Sequence, residues 1–105
     1  MHSLSMPAAT FNHFADAFRA GLPTAGQPAE LVEYVDGAIQ IAQEGAWADP
    51  ETLVAKLEDT GLDCALACFE AGAARVPADE AASIREAFAV ARTTDVPGSP
   101  WTVTM

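Results

Sequence analysis

The chain has 105 residues, half of them apolar, with 15 acidic against 5 basic side chains and a net charge of −10. This length supports one domain with one substantial core. A field of this sign repels nucleic acid, anionic membrane and phosphate-rich substrates, and it attracts cationic partners.

No stretch approaches the ~18 consecutive apolar residues of a membrane span. Met1 to Pro7 shows neither the basic residues nor the apolar run of a secretory signal. The two cysteines, Cys64 and Cys68, are therefore expected as reduced thiols in a cytoplasmic protein. There is no internal repeat and no linker, so residues 1–105 read as a single helical domain.

The predicted fold is all-α: a compact bundle of about five short helices, with an apolar fourth helix at its centre and an extended C-terminal tail. Met1 to Ala9 has no strong pattern. Residues 1–7 are expected to be flexible or arm-like, with Ser5 or Thr10 capping the first helix. That helix runs from about Ala8 or Phe11 to Ala20. Phe11, Phe14 and Phe18 share one stripe, flanked by Ala15 and Leu22. Asn12, His13, Asp16 and Arg19 take the other side. Gly21 is read as its end and Pro23 as the block to continuation.

The second helix runs from near Pro28 to near Gly45. Leu31, Val35, Ala38, Ile39 and Ala42 form its apolar face, widened by Val32 and Ile41. Glu30, Glu33, Asp36, Gln40 and Glu44 lie along the opposite side. Gly37 at mid-helix is either a site of close helix crossing or without consequence.

Asp49-Pro50-Glu51 has the composition of a helix start. A short third helix is predicted from there to Gly61, with Leu53, Val54 and Leu57 inward. Lys56, Glu58 and Asp59 face water, and Gly61 is the C-terminal cap.

The stretch from Leu62 to Val76, LDCALACFEAGAARV, organises the chain. Between Asp63 and Arg75 its only charge is Glu70. A helix apolar nearly all round must be enclosed. Its apolar circumference exceeds what four short helices can cover, so a homodimer is expected, with the fourth or fifth helix contributing to the contact. Asp63 is the predicted cap and Pro77 the end. The fifth helix spans Ala78 to about Thr93, with Ala81, Ile84, Phe88 and Ala91 inward and Arg92 at the negative end of its dipole. Residues 94–105 break the helical pattern at VPGSP and end in the strand-like WTVTM, for which no pairing strand is expected.

Cys64 and Cys68 share a helix face and are weak candidates for half a metal site or a redox pair. With Ala and Leu around them and no basic neighbour, core packing is the favoured reading. Glu70 is read as marking the solvated strip of the central helix. His13 and Asp16 are one turn apart, but no nucleophile is placed beside them. No phosphate loop, zinc-protease or hydrolase signature is present. Trp47 sits in a turn, either covering the core or serving an interface. Trp101 is assigned a docking role.

No cofactor is expected. The leading function is a non-enzymatic interaction protein: an inhibitor, an immunity or antitoxin-type protein, or an accessory subunit. It would present Glu30, Glu33, Asp36 and Glu44, with Trp101, to a basic partner protein. Direct nucleic-acid and membrane binding are not expected. The alternatives are a metal- or redox-binding protein using Cys64 and Cys68, and a small enzyme or ligand carrier with an apolar pocket between the Phe face and the central helix.

Overall fold

The first six residues after Met1 form a strand, not a loose arm. In the computed structural model, which describes residues 1–44 and 51–93, the order is β1 (His2–Pro7), α1 (Ala8–Ala25), α2 (Ala29–Gln43), β2 (Thr52–Leu57), α3 (Asp59–Gly72) and α4 (Ala78–Thr93). A 3-10 turn at Ala73–Arg75 links the last two helices. Over the described residues the fold is thus mostly helical, with four helices and a small two-stranded sheet, and not strictly all-α.

The predicted third helix is the main correction. TLVAKL places Leu53, Ala55 and Leu57 inward at period two, which is strand geometry. The helical reading used Leu53, Val54 and Leu57, and a short apolar run fits either period. The partner decides between them. In β1, His2, Leu4 and Met6 point inward, with Ser3 and Ser5 outward. β1 and β2 pair antiparallel, with His2 opposite Leu57, Leu4 opposite Ala55 and Met6 opposite Leu53. The Ala8 amide donates to the Glu51 carbonyl at 2.8 Å and extends the ladder into α1. Ser5 therefore lies in a strand and caps no helix.

The end of α1 also differs. Gly21 does not stop the helix, which continues past Pro23 to Ala25 and closes on Gly26 in the left-handed conformation, φ 67°. Gly21 instead lets α1 cross α3 with backbone against backbone. A Cβ built on Gly21 would lie 1.9 Å from the Cys68 carbonyl oxygen, and one on Gly72 would lie 2.0 Å from that of Ala17. The close crossing considered for Gly37 is not there: nothing lies within 4 Å of a Cβ at that position. Gly61 is no cap either. It lies inside α3, under the ring of Tyr34.

The core forms where α1 lies on α3. Phe11, Phe14 and Phe18 are fully buried and meet Phe69 and Phe88 around the Phe14 ring, with centroids 5.4 Å (Phe11), 6.2 Å (Phe18 and Phe69) and 5.6 Å (Phe88) away. Along α3, Leu62, Cys64, Ala65, Cys68 and Phe69 are buried, while Asp63, Glu70 and Ala71 form its exposed strip. One subunit therefore already encloses the apolar side of α3, which removes the ground on which a second copy was expected there. α4 lies against β1 and buries Ala81, Ile84, Phe88 and Ala91, as the periodicity predicts. No described helix is long and apolar enough to cross a membrane.

Candidate functional site: the outer face of α2

α2 packs against β2 and α3 through Val35, Ile39 and Ala42. Its polar residues recur every three or four positions, so they share the opposite face. Glu30, Glu33, Gln40 and Glu44 are exposed there. Glu30, Glu33 and Glu44 have no cationic partner among the described residues.

Asp36 is different. It accepts from Arg19 Nε at 3.1 Å and from Gln40 Nε2 at 2.7 Å. Arg19 also donates to Gln43 Oε1 at 3.3 Å, and Gln43 donates to Asn12 Oδ1 at 2.9 Å. The network ties α2 to α1 and removes Asp36 from the free acidic stripe.

Beside the acids runs an apolar groove that sequence reasoning missed. Met1, Tyr34, Gly37, Ala38 and Ile41 line it, together with Glu33 and Lys56. Met1, Tyr34 and Ile41 are 47%, 39% and 44% exposed, and they are three of the four large apolar side chains exposed among the described residues. Ile41 thus lies outside the buried face that it was expected to widen. The Tyr34 hydroxyl accepts from the Glu58 amide at 3.2 Å, which holds the ring over the start of α3. The available signal was Tyr34 itself, an aromatic residue set apart from the apolar stripe.

The other candidates fall elsewhere. Cys64 and Cys68 are buried and adjacent on α3. Burial pushes the Cys68 thiol up to about 12, reinforced by the neighbouring Cys64 and by a hydrogen bond between the two thiols. Burial also raises Cys64, partly offset by that bond. Such thiols stay protonated and are poor nucleophiles and ligands. No group of three or more His, Cys, Asp or Glu side chains able to hold a metal ion occurs among the described residues.

Glu70 lies on the exposed strip of α3 and accepts from Arg85 at 2.8 and 2.7 Å. Those bonds hold its carboxyl below the ordinary range. Arg85 also lies 5.7 Å from the centroid of the Phe69 ring. His13 does not engage Asp16. Its Nδ1 donates to Glu80 at 2.8 Å, while Asp16 borders a surface hollow with Arg19, Ala20 and Arg75. The Phe face of α1 is filled by rings and closed by the Gly21–Gly72 crossing, where the apolar pocket was expected. Trp47, Trp101, the Asp49-Pro50 start and the C-terminal tail lie outside the described residues.

The outer face of α2 therefore offers negative charge next to apolar surface. No family model, curated protein or solved structure matches this chain.

Proposed function

We propose that this chain is a small non-enzymatic interaction protein of the cytoplasm that docks a basic partner protein on the outer face of α2. Its role is that of an inhibitor, an immunity or antitoxin-type protein, or an accessory subunit. The carrying observation is the pairing of Glu30 and Glu33, uncompensated among the described residues, with the adjacent groove of Tyr34, Ile41 and Met1. Apolar side chains of the partner would enter the groove, and Lys or Arg would meet the acids at its rim. Asp36, held by Arg19, belongs to the scaffold of this face, and Glu44 extends its charge at the far end of the helix.

A homodimer remains part of this proposal on a narrower basis. Val90 of α4 is 53% exposed and borders a second groove with Met6, Pro7 and Ala87. Sedimentation equilibrium of the wild type and of Val90→Glu tests it, with a monomeric wild type as the contrary result.

The docking reading is tested by capturing the partner and titrating it against wild type and a Glu30→Gln, Glu33→Gln, Glu44→Gln variant. The dissociation constant of the wild-type complex should rise at least about tenfold from ~0.05 to ~0.5 M salt. The variant should begin weak and respond less to salt. Equal affinity of variant and wild type would overturn the assignment of this face.

A further inference from the structure

His2 is the one buried polar or charged residue of the described core, 4% exposed, and both nitrogens of its ring are engaged. Nδ1 lies 2.8 Å from the carbonyl oxygen of Ala91, and Nε2 contacts the carboxylate of Asp59. A carbonyl oxygen and a carboxylate only accept hydrogen bonds. Each contact therefore requires a proton on the nitrogen that makes it. A neutral imidazole has one such proton, and only the imidazolium has two.

The surroundings favour that cation. Ala91 lies in the last turn of α4, at the negative end of the helix dipole. Asp59 opens α3, where the positive end stabilises a carboxylate. Other charged groups on the elements around the ring include Lys56 of β2, Glu58 before α3, Asp63 of α3, Arg92 of α4 and the amino group of Met1, while Glu70 of α3 and Asp79, Glu80, Arg85 and Glu86 of α4 stand further along those helices from Asp59 and Ala91. Arg92 is engaged with Asp63 beside this cluster.

We propose that His2 is a proton-dependent latch. As the imidazolium it fastens β1 to the start of α3 and to the end of α4, joining residues 57 and 89 positions apart. Loss of one proton leaves a nitrogen lone pair facing an oxygen, so one of the two contacts must open. Leu4 and Met6 still hold the rest of β1. Release therefore begins at the His2 end of the strand and the last turn of α4. The sign follows from the bound proton: the latch contributes fully at pH below the histidine's titration and is lost as pH rises through it.

The experiment uses the full chain and two readouts. Nitrogen-15 spectra of the imidazole rings, assigned with a His13→Gln variant, should show His2 protonated on both nitrogens at about pH 7, above the ordinary midpoint near 6.5. In urea unfolding, the folded-to-unfolded ratio of wild type should fall about tenfold relative to that of His2→Gln between about pH 5.5 and pH 8, the loss of one charge-assisted hydrogen bond. A His2 ring already neutral in a single tautomer at about pH 6 would overturn the latch. So would an identical pH dependence in wild type and His2→Gln. If His2→Gln fails to fold, the ring spectra of the folded wild type and His13→Gln proteins decide alone.

Discussion

Cys64 and Cys68 behave as small core side chains with a pH liability. Their folded-state titration is raised by burial, with Cys68 near 12, whereas an exposed thiol in the unfolded chain titrates near 8.5. Stability linked to these thiols is therefore complete below about pH 8.5 and is lost as pH rises beyond it. Urea unfolding of wild type from about pH 8 to pH 10.5 should show this fall, and a Cys64→Ala, Cys68→Ala variant should show a flatter profile. Glu70 has the opposite sign. Arg85 holds its carboxyl low, so its contribution is present above the ordinary carboxyl range and is lost as pH falls through the depressed value. Glu70→Gln should flatten the acid limb of the same profile, and an unchanged acid limb would count against that pairing. These two sites were legible because their neighbours in sequence dominate them: Ala and Leu surround the thiols, and Glu70 stands alone among apolar residues. His2 was not legible, because both of its partners come from distant elements.

Helices whose apolar stripe is long and regular could be read directly. α4 has the predicted bounds, and the Phe stripe of α1 forms the core. Elements defined by long-range pairing could not. Thr52–Leu57 satisfies both periods, and its state is decided by β1, about fifty positions earlier. Glycine shows the same limit. Gly21 has the sequence signature of a helix end, and only the approach of α3 reveals its use. Gly21→Ala should cost about 2–3 kcal/mol, since the added methyl meets backbone that cannot step aside. Gly37→Ala meets open space at a half-buried position inside α2 and should stabilise by about 0.5–1 kcal/mol. Thermal unfolding of the two variants side by side checks both, and similar shifts would refute the close crossing.

At the scale of the whole molecule, negative charge lies outside a small aromatic core, and the acids differ in their commitments. Asp36, Asp63 and Glu70 are held by arginines, and Glu80 by His13. Glu30 and Glu33 are uncompensated among the described residues and adjoin the largest gathering of exposed apolar side chains there. Sequence spacing found the acids, but the groove needs Lys56 from the sheet and Met1 just before it, and so required the fold. Tyr34→Ala should weaken the proposed partner complex at least about tenfold, as loss of an aromatic anchor does, with little change in its salt dependence. The glutamate variant should change that salt dependence instead. If both variants alter affinity and salt response in the same way, charge and apolar contact are not separate contributors.

The antiparallel pairing of His2–Pro7 with Thr52–Leu57 also orders events on the ribosome. The first strand is made before the segment that completes it, and at about 5–20 residues per second the wait lasts several seconds. During that interval Leu4 and Met6 have no cross-strand neighbour, although in the finished protein both are buried. Translation stalled before Thr52 would leave β1 unmatched in the nascent chain, open to chaperones and to other copies emerging nearby.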